Sequence, residues 1–207
     1  MKNEKTFFVG LTGQSGAGKS TVAVCFSKYA DCAVIDADQV AREAVKKGSS
    51  CLEMLAQKFG YDIIDEDGNL NRRLLAQRAF ATPENTAVLN GITHPWIIKR
   101  TKEIADRYKQ NGKRIIIFDA PQLFESGGDA LCQKIIAVTA SEDVRMKRLL
   151  ARDGLSAEEL RSRMKAQHDE AFFREKSDYI IDGAGTLEQT EHQAAMIFDQ
   201  LRAALDK

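Results

Sequence analysis

Residues 13–20 read G-Q-S-G-A-G-K-S and fill the spacing G-x-x-x-x-G-K-S/T directly after the apolar run TFFVGL at 6–11. That arrangement leaves a chain little choice of fold, because a strand has to end where a helix begins, with a glycine turn of phosphate size between them. Gly13, Gly16 and Gly18 lack the Cβ that would keep successive backbone N–H groups from closing on phosphate oxygens, and the helix opening near Lys19 adds the positive end of its dipole. Lys19 reaches for the β- and γ-phosphates, and the Ser20 hydroxyl is placed to ligate Mg²⁺, an ion that keeps most of its waters in such sites. Ser15, Ala17 and Thr21 complete the stretch expected to hold the phosphates. A dinucleotide fingerprint fits less well, since the third glycine of G-x-G-x-x-G counted from Gly16 falls on Thr21.

Four further β-rich apolar runs, at 32–35, 114–118, 134–138 and 179–181, are as unbroken as the first. Strands of this kind suit a parallel sheet covered on both faces, and the helical patterns between them give a βαβ succession. Roughly eighty residues separate the second run from the third, more than one crossover helix needs. They carry helix stops at Gly48 and Gly60, the turn Asp67-Gly68-Asn69, and Thr82-Pro83-Glu84 as N-cap, first position and first turn of another helix. An inserted helical subdomain is expected there. Between the fourth and fifth runs, 141–153 reads as a helix closed by Gly154, and Ser156 with Glu159 opens the next as a capping box. Thr186 and Gln189 do the same for an amphipathic C-terminal helix.

Thirty basic and thirty acidic side chains cancel over 207 residues, so the chain has no global field of the kind nucleic-acid binders use, and an anionic ligand must be held locally. Lys2 and Lys5 precede an apolar run too short for a signal segment, and no stretch approaches a membrane span. A cytoplasmic protein without a membrane partner is expected. Cys25, Cys32, Cys51 and Cys132 form no C-x-x-C pair, which points neither to zinc nor to a disulfide framework.

Chemistry beyond the loop rests on carboxylates and arginines. Asp36 and Asp38 follow the second run, where strand ends line a ligand crevice. Alternation along an extended chain would put both on one side, where either could orient metal-bound water or accept a hydroxyl proton; equally, Asp38 could be the N-cap of a following helix. Asp119 ends the third run, a candidate for the Mg²⁺ shell through water or a turn-forming residue. Arg145, Arg148, Arg152, Arg161 and Arg163 crowd the hairpin after the fourth run. Most read as a solvated face, but beside a phosphate loop a mobile arginine hairpin is what a phosphoryl-transfer lid requires. His168 and His192 read as residues of charged helical faces.

Taken together, GLTGQSGAGKST at 10–21, VIDADQVAR at 34–42, THP at 93–95, DAPQLFE at 119–125, KRLLARD at 147–153, MKAQ at 164–167 and DYIIDGAG at 178–185 resemble the dephospho-CoA kinase family over nearly the whole chain. The resemblance implies an α/β fold, a P-loop NTPase-type three-layer sandwich with a five-stranded parallel sheet, in one kinase domain. Its core would comprise about 1–37, 113–140 and 171–207, its helical CoA-binding insertion about 38–112, and its helical lid about 141–170. It implies transfer of the ATP γ-phosphate, with Mg²⁺, to the ribose 3′-hydroxyl of dephospho-CoA, by a monomer or small homo-oligomer. On that resemblance Asp38 is the base; Arg42, His94, Pro121 and Leu123 contact substrate; Arg148 and Arg152 face phosphates; and Gly183 lies near the adenine. Three positions depart from the family pattern: GQSGAGKS stands for the usual GGIGSGKS, PQLFE for PLLFE, which sets polar Gln122 by the substrate pocket, and IDGAG for IDNxG.

Another small-molecule P-loop kinase is the nearest alternative, disfavoured by D-x-D-x-x-A-R and the long insertion. A nucleotide switch is disfavoured by the lack of N-K-x-D and by D-x-x-G segments at Asp65 and Asp182, badly placed for a switch loop.

Overall fold

A computed structural model describes residues 5–207; Lys2 lies outside the described residues. Five strands, β1 (Phe7–Gly13), β2 (Cys32–Asp36), β3 (Ile115–Asp119), β4 (Lys134–Thr139) and β5 (Tyr179–Asp182), form one parallel sheet in the order β2-β3-β1-β4-β5. β1 pairs in parallel with β3 through Val9 opposite Ile117, and with β4 through Leu11 opposite Ile136. The chain leaves β1 toward β2 on one side and crosses from β3 to β4 on the other, so the glycine loop after β1 sits where strand order reverses. The strands extend one or two residues past the apolar runs, because a parallel strand continues as long as neighbours supply ladder bonds.

On one face α1 (Lys19–Ser27) and α9 (Leu187–Leu205) pack over Val9, Leu11, Ile117, Ile136 and Val138. Phe26 and Phe198 are fully buried there, each worth about 1.5–3 kcal/mol relative to an exposed ring. Tyr29 stacks on Phe198 at 3.7 Å, and Arg202 of α9 forks onto Asp31 at 2.8 and 2.9 Å. The other face carries Phe8 and Phe118, whose ring centroids lie 5.7 Å apart. Gly10 on that face is held against Leu123, where a Cβ would come 2.6 Å from a Leu123 methyl.

The chain divides into two compact units, one reaching to Ile35 and resuming at Ala105–Lys207, the other Asp36–Ile104. The second contains α2 (Ala37–Ala44), α3 (Ser50–Phe59), α4 (Arg72–Ala79) and most of α5 (Pro83–Gln110). Its own core gathers Ala44, Leu55, Phe59, Ile63, Leu75 and Ala79. Arg100 of α5 bonds Glu43 of α2 at 3.0 Å. Local signals placed these helices well: Thr82 accepts from the Asn85 N–H at 3.2 Å with Pro83 opening α5, and Gly60, in positive φ, closes α3.

In the first unit, α6 (Glu142–Asp153), α7 (Ala157–Lys165) and α8 (Glu170–Lys176) connect β4 to β5. Gly154 ends α6 in the left-handed conformation, and both expected capping boxes, Ser156 with Glu159 and Thr186 with Gln189, are formed. Among the described residues no helix is long and apolar enough to cross a membrane. All four cysteines are free; burial pushes the Cys32 and Cys132 thiols up to about 12, which holds them in the protonated, unreactive form.

Candidate active site

β1 runs into the glycine loop without a break, and Gly13 is where the loop touches the sheet. Its φ is 144°, and a Cβ there would come 2.2 Å from the Val138 carbonyl oxygen of β4, so no other residue fits. Lys19 begins α1, and its part-buried ammonium pairs with the Asp119 carboxylate at the end of β3. The two candidates meet as an ion pair at the mouth of the loop. Ser20 and Thr21 follow in the first turn with their side chains toward solvent. With no side-chain cap on α1, the Lys19 and Ser20 N–H groups have no backbone partner among the described residues and are open to an anion, while those of Thr21 and Val22 donate to the Gly18 carbonyl at 3.0 and 3.3 Å.

Arg148 of α6 lies across the loop, its Nη1 donating to the carbonyls of Gly16 and Ala17, each at 3.2 Å. Arg152, one turn on, is exposed and forked onto Asp153 instead, which Arg163 also approaches at 3.5 Å. Arg145 is buried, its Nε donating to the Ala140 carbonyl at 3.1 Å, and burial lowers its pKa. Periodicity puts Arg145, Arg148 and Arg152 on one face of α6; only depth along the helix separates their surroundings. Arg148→Ala is therefore expected to slow phosphoryl transfer by roughly 10²-fold, as the loss of a charge-stabilising group does, while Arg152→Ala stays within about threefold of wild type. Steady-state kinetics of both variants check this, and equal losses would overturn the division.

Gly183, just after β5, closes the far wall. Its N–H donates to the Thr139 carbonyl at 2.8 Å, and a Cβ would stand 1.8 Å from the Ala17 carbonyl oxygen. A glycine at this position thus lets this loop rest on the phosphate loop. Together Gly18, Thr21, Arg148, Gly183 and Gly185 line a cavity of ≈270 Å³. Gly183→Ala is expected to weaken ATP binding by about tenfold or more, since a displacement of an ångström in such a site is costly. Calorimetric titration with ATP beside a thermal melt reads it; an unchanged affinity would free the loop of this constraint.

Several expectations are corrected. β2 ends at Asp36 and α2 starts at once, so Asp36 and Asp38 do not share one side of an extended chain. Nor is Asp38 the cap: the Asp36 carboxylate accepts from the Asp38 N–H at 2.8 Å and the Gln39 N–H at 3.2 Å. Asp38 stands in the first turn, exposed, with no hydrogen bond or ion pair from its side chain among the described residues. Arg42 follows one turn later on the same helix and is also exposed. His94 is half-buried on α5, and burial lowers its pKa. Leu123, expected at the substrate, is fully buried in the core against Gly10 and Gly128, while Pro121 and Gln122 are exposed. His168 is not on a helical face: it lies in the joint between α7 and α8, stacked on Phe172 at 3.7 Å with the Glu125 carboxylate at 3.6 Å.

Among the described residues no cluster of three or more His, Cys, Asp or Glu side chains could cage a metal. The oxygens of Ser20 and Asp119, flanking and pairing with Lys19, suit an ion that takes one or two protein ligands and completes its shell from phosphates and water.

A strand, glycine loop and helix with an invading arginine define a P-loop phosphotransferase fold. The model of the dephospho-CoA kinase family (CoaE) matches residues 7–189, and the chain belongs to that family. It is 38% identical over 195 residues to a dephospho-CoA kinase of Syntrophotalea carbinolica, covering 93% of this chain and 91% of that one. With a dephospho-CoA kinase of Corynebacterium jeikeium it shares 40% identity over 187 residues, covering 89% and 94%. Among solved structures, TT1252 from Thermus thermophilus is similar at a TM-score of 0.80 and 28% identity, covering 95% and 98%. Shikimate kinase from Bacteroides thetaiotaomicron, at a TM-score of 0.56 and 18% identity over 95% and 98% of the chains, shares the fold.

Proposed function

We propose that the chain transfers the γ-phosphoryl of ATP to the ribose 3′-hydroxyl of dephospho-CoA, giving coenzyme A and ADP, the last step of coenzyme A biosynthesis. The observation that supports it most is the phosphate loop with Lys19 at its mouth and Arg148 across it, in a chain of the dephospho-CoA kinase family. Open N–H groups of the loop and of the first turn of α1 bind the phosphate oxygens. Lys19 exchanges Asp119 for the β- and γ-phosphates when nucleotide enters, and with Arg148 spreads the charge that develops on the transferred group. Mg²⁺, when bound with ATP, neutralises phosphate charge; Ser20, and Asp119 through water, would hold it. Asp38 takes the proton of the attacking hydroxyl, a role that its exposed carboxylate, relieved of capping by Asp36, leaves open to it.

An ADP-release assay with dephospho-CoA, AMP and uridine as acceptors tests this. Turnover confined to dephospho-CoA is the expected result. Preference for either of the other acceptors would replace it with the reading of a different small-molecule kinase.

A further inference from the structure

One motif of the sequence, MKAQ at 164–167, has no part in the chemistry just described, yet its last residue reaches the phosphate loop. Gln167 lies in the joint after α7, and its carboxamide meets Ser15 twice: Oε1 accepts from the Ser15 N–H at 3.1 Å, and Nε2 donates to the Ser15 Oγ at 2.8 Å. The neighbouring pair repeats the contact in reverse, Gln14 Nε2 donating to the His168 carbonyl at 3.3 Å. With Arg148 on Gly16 and Ala17, every residue from 14 to 17 is tied to the segment 148–168. His168 then continues outward to Phe172 of α8 and to the exposed Glu125. A primary amide is suited to this position: it supplies one acceptor and one donor in a plane, matching an N–H and a hydroxyl on one residue, and it brings no charge beside the phosphates.

We propose that Gln167 is a positioning residue which, through Ser15, holds the α7–α8 joint on the phosphate loop and so keeps water from the γ-phosphoryl during transfer. This rests on the phosphotransferase reading above. It acts on the lid rather than on the reacting atoms: without it the joint would rest on the phosphate loop through the Gln14–His168 bond, and α7 through α6 and Arg148. Its loss should therefore let ATP be hydrolysed without acceptor more than it impairs ATP binding. A cavity of ≈370 Å³, lined by Gln14, Arg145, Gln167 and His168, borders the joint and gives it room to shift when the tie is cut.

The test compares wild type, Gln167→Ala and Gln167→Glu in two measurements. Hydrogen exchange of peptides covering 157–170, without nucleotide, needs no substrate; Gln167→Ala is expected to exchange roughly five- to tenfold faster there, the worth of one or two net hydrogen bonds, and Gln167→Glu to stay near wild type because a carboxylate still accepts from the Ser15 N–H and hydroxyl. The second measurement is the ratio of ATP hydrolysed to phosphoryl transferred, expected to rise about tenfold in Gln167→Ala with the KM for ATP little changed. A variant that only melts at lower temperature, with wild-type exchange at 157–170 and an unchanged ratio, would overturn the proposal, as would equal exchange in the Ala and Glu variants. Failure of wild type to use dephospho-CoA would instead overturn the reading of the reaction, leaving the exchange result to judge Gln167 by itself.

Discussion

Lys19→Ala is expected to lower turnover by about 10²–10³-fold while the chain still folds, the scale seen when one fixed charge is removed from a transition state. The ammonium sits at the start of α1 with 15% of its side chain exposed, facing a carboxylate, Asp119, exposed to 12%. In the absence of nucleotide the pair neutralises two charges in a largely desolvated corner, and deleting the cation costs between the about 1 kcal/mol of an exposed pair and the about 3–5 kcal/mol of a fully buried one. With ATP present the balance differs. The triphosphate brings several negative charges to the loop, the Asp119 carboxylate stays where it was, and the Lys19 cation at the mouth of the loop is missing, which leaves Arg148 to meet them. ATP affinity should fall as well, though less than turnover, because the loop N–H groups and the first turn of α1 still bind phosphate. Turnover, ATP affinity and a thermal melt of wild type and variant decide the matter. Near-normal turnover in a folded variant would remove Lys19 from the mechanism.

The sheet and its order of elements were legible because strands buried on both faces must be apolar without alternation, and this chain has five such runs and little else like them. Helix ends were legible where the signal is local: Thr82 with Pro83, Ser156 with Glu159, Thr186 with Gln189 and Gly154 all act within one turn of their own residue. What the sequence did not disclose was fixed at long range or by a small shift of register. Helix α2 begins at Ala37, sooner than an extended reading through Asp38 allows, and that alone moves the cap from Asp38 to Asp36. Arg148 and Arg152 are one turn apart with equal claims on a phosphate; the approach of α6 to Gly16 and Ala17 chooses between them. Leu123 sits in a motif beside exposed Pro121 and Gln122 but turns inward onto Gly10. Gln167 and His168 gain their partners across more than 150 residues of chain, where no spacing rule reaches. A glutamine followed by a histidine after an amphipathic helix carried no signal of that kind.

Asp38→Asn is expected to leave the fold and ATP binding intact and to slow transfer to dephospho-CoA by roughly 10²–10⁴-fold, the usual contribution of a positioned acid–base group. The substitution changes almost nothing else. Asn matches Asp in size and would cap a helix about as well, but capping is not at stake, since Asp36 supplies both hydrogen bonds to the first turn of α2. The Asp38 carboxylate is exposed and makes no side-chain bond among the described residues, so its replacement by an amide breaks no structural interaction. A carboxylate near the start of a helix is favoured by the dipole by about 0.3–1 kcal/mol, which bounds the stability change. A large kinetic effect with so small a structural one would belong to proton transfer. The informative control is Asp36→Asn, which also keeps the cap and should therefore keep the melt, and which is expected to retain most of its activity. Steady-state transfer, ATP affinity and a melt for both variants separate the two carboxylates. Full activity in Asp38→Asn with a collapse in Asp36→Asn would exchange their roles, and full activity in both would move the proton acceptor to Asp119.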